Sequence, residues 1–167
     1  MPTLRRSGKS APTTPISSRQ KPNMDDQLVD NLTAAAEQDG IARLVVGAVI
    51  ADGDQVLLLK RPADDFMGGL WELPSGKVDP GERLDTALAR EAKEETGLDL
   101  SEVTAYLGHF DYTSGSGKLS RQFNFAIEVG AIEPVALTEH DDFQWCEVTD
   151  DLPVSASVKE TLATLGE

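Results

Sequence analysis

Residues Ile41 to Ala51, IARLVVGAVIA, form a nearly unbroken apolar run in which Val45, Val46, Val49 and Ile50 are β-branched. A strand that alternates apolar and polar residues can leave one face in water, whereas a run without alternation has to be covered on both faces. The run therefore reads as a central strand, and a central strand needs a layer on either side. Asp52-Gly53 follows as a two-residue turn of the kind that suits a hairpin, and Gln55 to Lys60 returns as a second strand. Before the run, Leu28, Val29, Leu32, Ala35 and Ala36 recur at helical spacing and Gly40 supplies a stop, which predicts a surface helix packed on the domain.

The rest of the chain fills in the layers. Phe66 to Pro74 is loop-like, with Gly68-Gly69 ahead of Leu70, Trp71 and Leu73; Trp71 is read first as a core residue and second as a stacking surface for a base. Val78-Asp79-Pro80-Gly81 places Pro before Gly, a type II turn signal. It leads into a helix from Glu82 or Arg83 to Thr96, with Gly97 as its C-terminal cap. Val103 to Tyr112 and Leu119 to Val129 flank Ser114-Gly115-Ser116-Gly117 as a long hairpin, in which Leu119, Phe123, Phe125, Ile127 and Val129 alternate. Thr138 to Asp142 is a polar loop, Phe143 to Val148 a further strand, and Val154, Val158, Leu162 and Leu165 mark a C-terminal amphipathic helix. Strands interrupted by three helices predict an α/β domain, a mixed sheet with helices on its faces.

Charge narrows the partners. The 15 Lys and Arg stand against 29 Asp and Glu, yet residues 1 to 24 hold five of the basic residues (Arg5, Arg6, Lys9, Arg19, Lys21) and no acid. That segment, rich in Ser, Thr and Pro with almost nothing to bury, reads as a disordered basic extension, and residues 25 to 167 as one strongly acidic domain. An acidic surface repels phosphate backbones, so duplex nucleic acid is not an expected partner, while a small polyphosphate is acceptable if cations neutralise it. No stretch reaches the roughly 18 apolar residues of a membrane span. Cys146 is the only cysteine and reads as a small apolar residue on a strand. A cytoplasmic location is the expectation.

Apolar packing does not account for Gly76 to Leu98, GKVDPGERLDTALAREAKEETGL. On a helix Glu91, Glu94 and Glu95 fall at i, i+3 and i+4 and share a face, where like charges repel. That face overlaps the stripe of Leu84, Leu88 and Leu98, which puts the carboxylates at the border of the core. Such conflicts mark functional sites. A hard divalent cation of the Mg²⁺ type resolves it, because carboxylate oxygens are its preferred ligands. The adjacent cations Lys60 and Arg61 are consistent both with a solvated strand end and with a grip on substrate phosphate.

The same stretch resembles the signature of the Nudix hydrolases: Gly, five residues, Glu, seven residues, Arg-Glu, an aliphatic, any residue, Glu-Glu, any residue, Gly, aliphatic. Here it reads Gly76, Glu82, Arg90, Glu91, Ala92, Glu94, Glu95, Gly97 and Leu98. Two departures are mild: Ala92 is small for its position, and Ser75 stands where many members have Gly. The preceding LWELP and the order of elements are similar to the mutator-type branch.

The resemblance implies a Nudix-type α/β/α sandwich and hydrolysis, by attack of water on phosphorus, of a nucleoside diphosphate linked to another moiety. It implies Mg²⁺, with Mn²⁺ as a substitute, held by Glu91, Glu94 and Glu95, with Glu82 and the Ser75 backbone carbonyl as further ligands. Arg90 resembles the family's orienting arginine. The general base is implied to be either Glu91 or a loop carboxylate, for which Glu139 is the candidate; Glu139 equally fits a plain loop acid beside Asp141 and Asp142. Lys60, Arg61, Trp71 and Lys77 are the expected substrate contacts, and His109 and His140 are expected to be structural. The expected partner is a small nucleotide, with a homodimer allowed. The favoured substrate is a nucleoside triphosphate, oxidised forms included. An ADP-ribose-type substrate and a non-hydrolysing nucleotide sensor are the alternatives. The family's ADP-ribose branch places a Pro about fifteen residues past the signature, where Thr113 stands, and Tyr112 falls early for the diadenosine polyphosphate branch.

Overall fold

The apolar run becomes β1 (Arg43–Asp52), buried without interruption from Val45 to Ile50. The computed structural model describes residues 24–64 and 69–166, so the basic extension before residue 24, and Phe66 and Gly68 of the glycine-containing loop, lie outside the described residues. The elements follow as α1 (Asp26–Gln38), β1, β2 (Gln55–Lys60), β3 (Trp71–Glu72), β4 (Ser75–Lys77), α2 (Leu84–Thr96), β5 (Leu100–Thr113), β6 (Leu119–Val129), β7 (Asp142–Glu147) and α3 (Ala156–Ala163).

The seven strands form one mixed sheet with β1 at its centre. β1 runs parallel to β6 from the Arg43 and Ser120 pair to the Ile50 and Ile127 pair. Its other edge is shared, by β4 through Val45 to Gly47 and by β2 through Ala51 and Asp52. β2 extends the sheet to β3 and β7, and β5 pairs with β6 as the long hairpin. Val46, Ile50, Leu57, Phe123 and Phe125 pack with Val29 and Ala36 of α1 and with Leu84 and Leu88 of α2. On the opposite face Val49, Val56, Leu58 and Leu73 pack with Val158 and Leu162 of α3. Helices on both faces of a mixed sheet satisfy the demand that β1 makes. Among the described residues no helix is long and apolar enough to cross a membrane.

Some expectations shift. The hairpin turn after β1 is Gly53-Asp54 rather than Asp52-Gly53, because Asp52 pairs with Gln55 and the positive φ of 61° falls on Gly53. The segment read as loop to Pro74 contains β3, and β4 follows at once. Two or three residues give no period to read, and both strands exist because longer neighbours offer them an edge. The alternation in β6 predicts one apolar and one solvated face, but both faces are buried and Leu119, at its start, is exposed. Cys146 lies half-buried on β7 against the α3-side core.

Arg121 of β6 ties the hairpin to α1. Its side chain is 7% exposed, with Nε donating to Asp111 Oδ1 at 2.7 Å and Nη2 to Asp39 Oδ2 at 2.9 Å. That hydrogen bond holds the Asp111 carboxyl below its ordinary value. A depressed carboxyl contributes stability above its unfolded pKa of about 3.9 and loses it as pH falls through the folded value. Asp111→Asn is therefore expected to unfold at lower denaturant than the parent at pH 7, with the gap closing as pH falls below the ordinary carboxylate range. An equal gap at pH 7 and below that range, in urea titrations, would contradict the role given to this pair.

Candidate active site

α2 is built from good helix formers, opens with Asp85 in its first turn and closes with Lys93 in its last. Asp79 to Glu82 make the turn that feeds it, with the Glu82 amide donating to the Asp79 carbonyl at 2.9 Å and Gly81 at φ 79°. Gly97, at φ 78°, caps the helix in the left-handed conformation. These boundaries fix which way the four signature carboxylates point.

Arg90 gathers three of them. Its Nε and Nη2 donate to Glu82 Oε2 and Oε1, each at 2.8 Å, a bidentate pair. Its Nη1 donates to Glu91 Oε2 at 2.9 Å and Glu94 Oε1 at 3.3 Å, and Nη2 also reaches the Lys77 carbonyl at 3.0 Å. The guanidinium thus stitches α2 to β4 and the turn. Its hydrogen bonds hold the Glu82 carboxyl below the usual range.

The carboxylates are graded in burial. Glu94 keeps 57% of its side chain exposed, Glu91 13% and Glu95 only 9%. Burial raises Glu91 despite Arg90, and burial first, then the charges of Glu139 and Glu91, push Glu95 up to about 7. Gly76 on β4 lies against Glu91 so closely that a Cβ there would occupy the position of the Glu91 carboxylate.

These groups line an acidic cleft of about 590 Å³ that also takes in Arg61, Glu72, Ser75, Lys77, Thr138, Glu139 and His140. A polar chain crosses it: Arg61 Nη1 to Glu72 Oε1 at 2.9 Å, His140 Nε2 with Glu72 Oε2 at 2.7 Å, and His140 Nδ1 3.5 Å from Glu95 Oε1. His140 Nδ1 is buried with no hydrogen-bond partner. Burial opposes charge on this imidazole, but the Glu72 hydrogen bond and the Glu95 charge outweigh it and hold its pKa above the ordinary value.

A second cavity, of about 600 Å³, adjoins the first and shares Arg61, Glu72 and Ser75 with it. Its walls are different: Leu70, Trp71, Phe110 and Tyr112 give apolar and aromatic surface, while Arg43, Gln122, Ser155 and Ser157 give polar groups.

The structure brings together most of the residues expected at a site. Glu91, Glu94, Glu95, Glu139, Ser75, Lys77 and Arg61 line the acidic cleft, and Trp71 lines the neighbouring cavity. Lys60 and Glu82 line neither, since Glu82 is taken up by Arg90 and the Asp79 amide. Sequence reasoning passed over Glu72 and gave His140 only a structural part. Both reach the cleft through the pairing of β2 with β3 and β7, and the acid within LWELP is the one local signal for Glu72. His109 stays outside the cleft, its Nδ1 3.2 Å from the Tyr106 hydroxyl.

The donor set fits a hard divalent cation. It consists of carboxylate oxygens, two of them on side chains whose burial disfavours their charge, around a cradle that only Gly76 leaves open. Among the described residues no three acid, His or Cys groups already stand together as an ion site, Glu91 and Glu94 being turned onto Arg90.

The family model for the NUDIX domain matches residues 42–163, which include the cleft and both helices that flank the sheet beyond α1. The chain belongs to the Nudix family. Among curated Nudix relatives, a CTP pyrophosphohydrolase of Escherichia coli (strain K12) is 39% identical over 108 residues, covering 65% of this chain and 78% of that protein. An 8-oxo-dGTP diphosphatase of Proteus vulgaris is 36% identical over 61 residues, 36% of this chain and 54% of that one. Among solved structures, the E. coli ORF135 protein matches with a TM-score of 0.60 at 29% identity, over 74% of this chain and 90% of that one. A C. elegans Ap4A hydrolase matches with a TM-score of 0.63 at 26% identity, over 75% and 96%. The Nudix signature read in the sequence is thus joined by the fold, and this Nudix chain is a hydrolase of the family's nucleotide pyrophosphohydrolase kind.

Proposed function

We propose that this chain hydrolyses a nucleoside triphosphate to the monophosphate and pyrophosphate, with Mg²⁺ as its cofactor and Mn²⁺ as a substitute. The observation that carries the reading is the junction of the two cavities at Arg61, Glu72 and Ser75. A nucleoside suits the aromatic cavity, a polyphosphate suits the cleft once cations neutralise its acids, and the shared residues lie where the two halves of such a substrate meet. The names of the curated relatives, which act on CTP and 8-oxo-dGTP, agree with a triphosphate.

Glu91, Glu94 and Glu95 would hold the cation, with the Ser75 carbonyl beside them. When bound, it supplies charge neutralisation of the phosphates and a lowered pKa for the attacking water. Arg90 takes one oxygen of Glu91 and one of Glu94, which leaves the other oxygen of each to the cation. Arg61 and Lys77, both in the lining of the cleft, would offer positive charge to the phosphates. Glu139 lines the same cleft and would take the proton from water, with Glu91 as the alternative base. A cytoplasmic enzyme would meet such substrates.

Purified protein with Mg²⁺ and a panel of nucleoside triphosphates, ADP-ribose and a diadenosine polyphosphate tests the reading by its products. Pyrophosphate from a triphosphate is expected, with release abolished by EDTA and restored by Mg²⁺ or Mn²⁺. Turnover confined to ADP-ribose or the dinucleotide would replace the triphosphate assignment. Tight nucleotide binding without product would make the domain a sensor.

A further inference from the structure

The face of β6 turned toward α3 carries residues that an apolar layer does not select. Phe123, Phe125 and Ile127 point to α1 and α2, so Ser120, Gln122 and Asn124 face the other way. All three are buried, Ser120 and Asn124 completely, on the face where the buried apolar cluster is made of Val and Leu.

Their amides are chained in one sense. Gln122 Nε2 donates to Asn124 Oδ1 at 2.9 Å, and Asn124 Nδ2 donates to Thr161 Oγ1 of α3 at 3.4 Å. The Thr161 hydroxyl gives its own proton to the Ser157 carbonyl at 3.0 Å. With that proton committed, the Thr161 oxygen can only accept, so Asn124 must turn its NH₂ to Thr161 and its oxygen to Gln122. Gln122 must then turn its NH₂ to Asn124. Its Oε1 is left without a donor among the described residues, and it is not sealed in, because His140 Nδ1 is the one sealed side-chain atom among them that lacks a partner. Gln122 lines the aromatic cavity, into which that oxygen can open.

A second observation shows that room is kept for this relay. Gly47 sits in the middle of the fully buried strand β1, beside Asn124 in the parallel register. A Cβ there would fall 2.5 Å from both Gln122 Nε2 and Asn124 Oδ1, so any larger residue would push the amide pair apart.

We propose that Gln122 reads the nucleobase, with Asn124 and Thr161 as positioning residues that hold its carboxamide in one orientation. A free amide can turn over and satisfy either order of donor and acceptor on a base edge. A pinned one cannot. The cavity would thus separate bases that differ in an amino or keto group at nearly constant size, which apolar walls do poorly. The inference rests on the assignment of this cavity to the nucleoside.

The test compares kcat/KM for CTP against UTP and for ATP against ITP, pairs that exchange an amino for a keto group. The parent enzyme is expected to separate at least one pair by about tenfold or more. Gln122→Leu should bring that ratio to within about twofold of unity. Thr161→Val, which alters no residue of the cavity wall, should lower the ratio several-fold through KM, and Thr161→Ser should keep it. Equal turnover of both pairs by the parent overturns the proposal. So does a folded Gln122→Leu with the parent's ratio, or, if that variant does not fold, a Thr161→Val that changes only the unfolding temperature. No product from any of the four nucleotides would overturn the triphosphate reading itself, and the inference with it, a result distinct from turnover without discrimination.

Discussion

Glu95→Gln is expected to lower turnover by about a thousandfold while the unfolding temperature at pH 7 holds or rises. The two effects have one cause. Glu95 is nearly buried, and its carboxyl is pushed up to about 7 chiefly by that burial, so the folded protein carries an acid whose charge it destabilises. A neutral side chain of the same shape relieves that cost and removes an anionic oxygen from the cation's ligand set. Steady-state kinetics with Mg²⁺ beside thermal unfolding checks both halves. Full activity in this variant would remove Glu95 from the site.

Gly76→Ala is expected to cost about a hundredfold in kcat, although it adds one methyl group on a strand outside the helix that carries the carboxylates. The added carbon would take the place of the Glu91 carboxylate, which then has to swing away and give up its 2.9 Å bond from Arg90. β4 cannot yield easily, because its register with β1 is set by three consecutive pairs. The aromatic cavity does not include Gly76, so nucleoside binding should change little. Measured kcat and the affinity for a non-hydrolysable nucleotide separate the two. Parent-like kcat would show that the Glu91 position does not matter to the reaction.

What was legible in the sequence follows from where each piece of chemistry is encoded. The carboxylate helix is local: its spacing, the Pro80-Gly81 turn and the Gly97 cap lie within one short stretch, and each behaves as local rules require. The three layers were legible from β1, whose lack of alternation leaves no face for water. Residues that depend on strand pairing were not. Glu72 and His140 lie 68 positions apart and meet at 2.7 Å because β3 and β7 both pair with β2. Gln122 and Asn124 occupy polar positions of an alternating strand, the pattern of a solvated face, and are buried because α3 packs over them. Glu82 counted as a cation ligand in the signature, yet both its oxygens go to Arg90, a partner that spacing alone cannot reveal.

The most direct test of the account is product analysis with a nucleoside triphosphate and Mg²⁺ in ¹⁸O-labelled water. Equal amounts of monophosphate and pyrophosphate, with one labelled oxygen per turnover and no reaction in EDTA, are the predicted result. Orthophosphate with nucleoside diphosphate, or turnover that survives EDTA, would contradict it.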